Sequence, residues 1–326
     1  WLAIIPARRG SDSLLAFESI TVALILLVSL VVLVKLLGGG GPQGQTFTLS
    51  VFTPAPGTAG SALFLAVVFG ILSFLGFEGA AAMGDEATEP RKAIPVALIG
   101  ATAIGAIYYV FTAAVAMMGY GTDDAGLKAF GSSGSLFGVL GSTYIAPWVG
   151  DVVTVGTIIS GFAGSVGSLV GASRLFFSMT RAVAPGQKRL LTVSSKYGTP
   201  IGSIIAVFVI AVVLTLGFWI AQVSIFSAWA WTGTVAVFVS LFAYLLNSVG
   251  AAKIISRSTI IPRWEVVVPV LSILAVLYVI FRNVVPYPTG AGAWLPVVAV
   301  GWLLIAVVLG LVIPGLDRKS TRLNSS

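Results

Sequence analysis

One apolar stretch, residues 69–95, holds the residue pattern most suited to binding chemistry. Gly70, Gly76 and Gly79 lie close together there, with the polar residue Ser73 between the first two. Clustered glycines let a membrane helix unwind, which frees amide and carbonyl groups to coordinate a ligand. They equally let two helices pack closely. The spacing alone favours neither interpretation.

Glu78 lies in the same stretch. A charged side chain at the centre of a membrane helix costs about 2.5–3.5 kcal/mol on insertion scales, so such residues are candidates for function. We therefore predict a coupling or gating role for Glu78. The alternative is a position near enough to the interface to be hydrated. The mixed-charge residues 85–92 that follow are typical of a cytoplasmic gate or a solvated ion-pair network.

Several kinds of chemistry are excluded by residues that the chain lacks. It contains no histidine and no cysteine. Disulfides, thiolate nucleophiles, zinc or haem ligation by these side chains, and histidine acid–base catalysis are therefore ruled out. The apolar stretches hold no paired acid motif either. We expect no cofactor, no metal site and no enzyme activity.

The composition identifies the elements that position these residues. Of the 326 residues, 57% are hydrophobic and 9% are charged, against about 25% charged in a soluble domain. Runs of the roughly 20 apolar residues that a membrane-spanning helix needs occur eight times. They are too continuously apolar for the strands of a β-barrel. We predict an all-α integral membrane protein with eight transmembrane helices: Leu14–Leu37, Ala62–Met83, Ile94–Met118, Val152–Ser173, Ile201–Ile220, Ile225–Val249, Trp264–Phe281 and Leu295–Ile313.

Charged loops predict the orientation of these spans. Alternate loops hold twelve lysines and arginines on one side and three on the other. The positive-inside rule places the twelve in the cytoplasm, so odd-numbered spans run from cytoplasm to outside in a multi-pass protein of the cell membrane. The longest outer loop, residues 121–147, is rich in Gly and Ser. We predict that its apolar stretch Leu136–Leu140 lies on the membrane surface.

Both ends of the chain bear on the domain organisation. Residues 1–5 are typical of the last turn of a helix whose beginning is missing, and no signal-peptide pattern is present. Residues 317–326 match the translation of a sequencing adapter residue for residue. We expect them not to be native, which leaves residues 1–316 as one membrane domain.

Two motifs resemble those of amino-acid permeases in the amino acid–polyamine–organocation (APC) superfamily. The first resembles the signature around the sixth helix of that family: Ser73-Phe-Leu-Gly-Phe-Glu78, Gly84-Asp-Glu86, Glu89-Pro-Arg-Lys92 and Ile94-Pro95. The second resembles the run after the eighth helix: Ala172-Ser-Arg174, Ser178-Met-Thr-Arg181 and Lys196-Tyr-Gly-Thr-Pro200. Glu89 stands where the family often has Asn, and Ala182 replaces the usual Asp.

The resemblance implies a twelve-helix, inverted-repeat transporter fold, of which this chain carries helices five to twelve and lacks the first four. It implies that substrate binds where the first and sixth helices are broken. There, the amide end of a half-helix attracts a carboxylate. The sixth-helix part of that site corresponds here to Ser73, Phe74, Leu75 and Gly76.

The resemblance also implies that the family's eighth helix borders a cation or proton site. Ser160, Ser165 and Ser168 lie in the corresponding fourth span, but Ser160 is about 140° round the helix from Ser165 at 3.6 residues per turn. The three hydroxyls therefore converge only if that helix is distorted, and close packing of small residues is the alternative. Glu18, the only acidic residue of the first span, is a candidate proton carrier or an interfacial residue.

We therefore expect a secondary active transporter of amino acids or related amines, working by alternating access and coupled to protons or to exchange. A sodium-coupled solute symporter of the same fold and a non-transporting membrane sensor are the alternatives. A channel is disfavoured because no filter-like motif is present. The expected partners are a small-molecule substrate and the lipid bilayer, not nucleic acid, and the oligomeric state stays open.

Overall fold

The computed structural model describes residues 3–4, 7–77, 89–183, 186–258, 262–285, 287 and 292–312. These residues form ten α-helices and two short 3-10 helices, with no strand among them. The α-helices are α1 (Ala7–Leu37), α2 (Gly60–Phe74), α3 (Pro90–Tyr120), α4 (Asp124–Ser132), α5 (Leu136–Tyr144), α6 (Pro147–Val183), α7 (Ile201–Ile220), α8 (Ile225–Arg257), α9 (Val267–Val284) and α10 (Leu295–Val312). The 3-10 helices are Leu49–Phe52 and Arg263–Val266.

Six helical segments of the described chain are long and apolar enough to cross a membrane. They are Leu15–Leu37, Lys92–Tyr120, Pro147–Arg181, Ile201–Ile220, Ile225–Arg257 and Arg263–Val284. The second and eighth predicted spans contain shorter apolar helices instead, Ala62–Phe74 and Leu295–Val308. Large apolar side chains such as Val96 and Ile107 are 71% and 73% exposed, as expected for helix faces that contact lipid. The all-α membrane class is confirmed, whereas the count of eight spans stays a prediction.

The second predicted span differs most from its expected form. We predicted one helix over Ala62–Met83, but α2 ends at Phe74 after 15 residues. At 1.5 Å per residue it is about 22 Å long, short of the roughly 30 Å hydrocarbon core. Residues 78–88, including Gly79, Glu78 and Met83, lie outside the described residues.

The chain divides into two compact units. The first comprises Trp1–Pro56 and Gly76–Ile210, and so contains α1, α3 to α6 and the first half of α7. The second comprises Gly57–Leu75 and Ala211–Ser326, and so contains α2, the rest of α7 and α8 to α10.

The core of the first unit is built by four helices, α1, α3, α5 and α6. Val28 and Val32 of α1 pack with Val115 of α3, Leu140 of α5 and Val153 of α6. Leu140 is only 2% exposed. The predicted position of Leu136–Leu140 on the membrane surface is therefore wrong for Leu140, because α5 folds back onto α1 and α3 and buries this side chain in the protein core.

The core of the second unit joins α2 to α8. Val68 of α2 is fully buried against Val237 and Leu241 of α8. Beside them Leu72 lies over Gly233, where a Cβ atom would come within 2.5 Å of a Leu72 methyl group. This close approach fixes the position of the last turn of α2, which carries the predicted substrate residues.

Candidate functional site

The predicted substrate residues lie at the C-terminal end of α2. Phe74 is its last residue, and Leu75 is extended (φ −61°, ψ 133°). The amide of Leu75 lies 3.2 Å from the carbonyl oxygens of both Ile71 and Leu72. Gly76 then has φ +113°, a conformation that L-residues other than glycine rarely adopt. The chain therefore leaves the helix between Phe74 and Gly76.

The conformation of Gly76, not packing, explains the glycine at this position. A Cβ atom placed on Gly76 would meet nothing within 4 Å, and the same is true of Gly70. Close helix packing was the alternative explanation for the glycines of this stretch, and no atom of the described residues supports it at Gly70 or Gly76. Gly70 lies inside the regular helix, so of these two only Gly76 needs the freedom of glycine, and Gly79 lies outside the described residues.

The polarity of this helix end determines what it attracts. The C-terminal end of a helix carries about half a negative charge, because its last carbonyl groups lack intrahelical donors. The described half of the break is therefore suited to an ammonium group or another cation. No amide end that attracts a carboxylate is formed by residues 69–77, and residues 78–88 lie outside the described residues.

Ser73 is the polar side chain of this helix end. Its Oγ donates a hydrogen bond to the carbonyl oxygen of Phe69, four residues earlier, at 3.0 Å. Ser73 is exposed. The hydroxyl donates to its own helix but keeps lone pairs that can accept a hydrogen bond from a ligand.

A stacked aromatic pair holds α2 against α8 one turn before Ser73. The rings of Phe69 and Trp229 lie 5.5 Å apart with an angle of 8° between their planes. Sequence reasoning did not predict this pair. The only signal for it is Gly233, four residues after Trp229 and hence on the same face of α8, where Leu72 packs.

Two predicted coupling residues, Glu18 and Ser160, are in direct contact. Ser160 Oγ of α6 donates to Glu18 Oε2 of α1 at 2.6 Å, and both residues are half-buried. One turn along, the hydroxyl of buried Thr21 lies 3.2 Å from the carbonyl oxygen of Gly156. Thr21, which sequence reasoning missed, thus extends the same polar contact between α1 and α6.

The carboxylate of Glu18 has no cationic partner among the described side chains, where no lysine or arginine nitrogen lies within 4.0 Å of it. Tyr108 of α3 is near enough to interact with its charge. The hydrogen bond that the structure shows at this carboxylate is the one from Ser160. The role of Glu18 as a proton carrier stays a prediction.

The other two serines of α6 lie apart from this pair. The helix is unbroken from Pro147 to Val183, so no distortion brings the three hydroxyls together. Ser165 Oγ donates to the carbonyl oxygen of Gly161 at 2.8 Å, and both Ser165 and Ser168 are exposed. Glu78, the other predicted coupling residue, lies outside the described residues. The coupling roles predicted for Ser165 and Ser168 and for Glu78 stay predictions.

Comparison with known proteins identifies the family. The family model described as amino acid permease matches residues 3–314, which includes the helix end of α2 and the Glu18–Ser160 pair. Comparisons with curated proteins and with solved structures found no match. Because the family model covers nearly the whole sequence, the chain belongs to the amino acid permeases of the APC superfamily.

Proposed function

We propose that this permease is a secondary active transporter that moves amino acids or related amines across the cell membrane by alternating access. The end of α2 at Phe74–Gly76 is the observation that carries the proposal. A helix that ends inside a predicted membrane span places irregular backbone at membrane depth, which is tolerated where it is buried in protein or lines a cavity, and in transporters such helix ends border the substrate site.

The substrate's ammonium group binds at the C-terminal end of α2, beside Ser73, Phe74, Leu75 and Gly76. The partial negative charge of the helix end stabilises the cation. The exposed Ser73 hydroxyl, which already donates to Phe69, can accept an N–H from the substrate. The substrate carboxylate contacts amides beyond Phe77 or on other helices.

Proton coupling uses Glu18. When Glu18 is ionised, the hydrogen bond from Ser160 stabilises its charge. When it is protonated, its own O–H can donate while the serine hydroxyl turns to accept. Protonation removes a charge from the interface of α1 and α6, so it can bias two arrangements of these helices.

The orientation follows from the basic loops. The loops with the twelve lysines and arginines lie in the cytoplasm under the positive-inside rule, so α1 runs outward. Glu18 then lies nearer the cytoplasmic end of this helix than Lys35. A proton released from Glu18 then has a short path to the cytoplasm. This direction suits uptake driven by a proton gradient.

Uptake of labelled amino acids into vesicles that contain the full-length protein tests the proposal. We expect uptake that rises several-fold when the vesicle lumen is made alkaline relative to the outside. Uptake that requires sodium, with no response to the pH gradient, would support the sodium-coupled alternative. Binding without any uptake would support a sensor.

A further inference from the structure

A cavity of about 830 Å³ lies entirely within the first unit, and no residue of α2 lines it. Its walls are the loop after α1, the C-terminal end of α3, and helices α4 and α5. Ligand sites typically have volumes of about 300–1,000 Å³. The cavity is therefore large enough for an amino acid or a small amine, and no predicted site residue lines it.

The walls of the cavity are held in place by hydrogen bonds between its elements. Tyr120 Oη at the end of α3 donates to Ser133 Oγ at 2.8 Å. Tyr144 Oη of α5 donates to the carbonyl oxygen of Gly119 at 2.9 Å. Phe47 of the loop donates its amide to the carbonyl oxygen of Leu36 at 3.2 Å. These bonds tie the end of α3 to α5 and to the end of α4, and the loop to the end of α1.

Asp123 is placed at the cavity wall by a tight turn. A Cβ atom on Gly126 would lie 2.4 Å from the carbonyl oxygen of Gly121, so the start of α4 presses directly on the end of α3. Asp123 is the N-cap of α4, and its Oδ1 accepts the Gly126 amide at 3.1 Å. The cap uses one carboxylate oxygen and leaves Oδ2 able to accept from a ligand.

The charge of the cavity selects its ligand. Asp123 is the only charged residue among the described residues that line it. No described lysine or arginine nitrogen lies within 4.0 Å of its carboxylate. The other polar lining groups are neutral and include several hydroxyls and amides: Gln43, Gln45, Thr46, Thr48, Thr122 and Thr143. Lys35 does not line the cavity, and its ammonium group already donates to the carbonyl oxygen of Tyr144 in the wall. The carboxylate of Asp123 and the neutral acceptors around it favour a cation with several N–H donors over an anion.

We propose that this cavity binds a small molecule with a primary ammonium group, which Asp123 contacts through Oδ2. The neighbouring hydroxyl and amide oxygens accept its remaining N–H groups. The site is separate from the helix end of α2, and binding there requires no transport. The proposal therefore stands or falls independently of the proposed transport mechanism.

Calorimetric titration of the purified full chain in detergent tests this site with three probes of equal length: n-butylamine, n-butanol and butyrate. We expect butylamine to bind at least tenfold more tightly than butyrate, with butanol between them. Substituting Asp123→Asn should weaken butylamine binding about tenfold. Asparagine keeps the N-cap acceptor while removing the charge, so the fold should be retained, which circular dichroism checks.

Asp124→Asn is the matched control. It removes the same charge one residue away, but Asp124 does not line the cavity. We expect its affinity for butylamine to stay within twofold of the parent chain. Equal losses in both variants would show a general field effect and overturn the proposal, as would unchanged binding in Asp123→Asn or tight binding of butyrate.

Gly76→Leu separates this cavity from the helix end of α2. Gly76→Leu removes any butylamine that binds at the helix end, whereas the butylamine binding that depends on Asp123 persists in that variant, because Gly76 does not line the cavity. Loss of butylamine binding in Gly76→Leu, with Asp123→Asn unaffected, would assign the amine to the helix end and overturn the proposal.

Discussion

The two predicted parts of the site work through different groups. At the end of α2, the proposed binding groups belong to the backbone, which turns at Gly76 with a positive φ. Between α1 and α6, two side chains that are 142 positions apart form one hydrogen bond. The comparison teaches that a glycine in an apolar run can mark a turn of the backbone, whereas a side-chain pair depends on how helices pack.

The largest expected effect concerns the side-chain pair. Glu18→Gln keeps a hydrogen-bond partner for Ser160 but cannot exchange a proton. We expect more than tenfold loss of pH-gradient-driven uptake, with substrate binding at the end of α2 retained. Uptake in vesicles and calorimetric binding measure the two parts separately. Normal gradient-driven uptake in this variant would remove Glu18 from the mechanism.

The backbone site is tested by matched substitutions in α2. Gly76→Ala forces an L-residue to φ +113°, which costs about 1–2 kcal/mol. The variant is therefore either less stable or changed in the conformation of this turn. We expect about a tenfold loss of amino-acid affinity in calorimetric titration. Gly70→Ala is the control, because it lies within a regular helix with space for a methyl group.

The two alanine variants should also change the free energy of unfolding in opposite directions. Gly70→Ala should raise stability by up to about 1 kcal/mol, since alanine is the better helix former, whereas Gly76→Ala should lower it. Thermal unfolding checks both. If Gly76→Ala were as stable as the parent chain or more stable, the end of α2 would not be a constrained turn.

A smaller effect is expected from substituting Ser160, the partner of Glu18. Ser160→Ala removes a hydrogen bond to a charged group, worth about 1.5–3 kcal/mol when buried, but both residues are half-buried and water can replace the hydroxyl. We expect uptake to fall about threefold to tenfold. Ser165→Ala, whose hydroxyl bonds only its own helix, should leave uptake unchanged. Similar losses in both variants would indicate a general packing role for these serines.

The smallest effect concerns the support of the backbone site by the Phe69–Trp229 stack. An aromatic pair contributes about 0.5–1.5 kcal/mol beyond its buried area. A double-mutant cycle with Phe69→Leu and Trp229→Leu, followed by thermal unfolding, should give a coupling energy in that range. A coupling near zero would mean that Val68 and Leu72 alone position α2 on α8.

Sequence reasoning succeeded where the signal was local. Continuous apolar runs predicted the long helices such as α7 and α8, because each run of about 20 apolar residues is itself the requirement for crossing a membrane. The local glycine pattern left an unwound turn and close helix packing equally open, and the positive φ of Gly76 favours the turn at that position. The helices α4 and α5 were missed because both are nine residues long, too short to be stable without tertiary contacts.

The sequence by itself determined the membrane class and the family motifs, because composition and local residue patterns are enough for both. The structure decided that α2 ends at Phe74. Only the tertiary structure decided that Ser160 rather than Ser165 or Ser168 contacts Glu18, and that the loop after α1 closes a cavity with Asp123 at its wall. Such contacts depend on the rotation and depth at which whole helices pack, which no local pattern encodes.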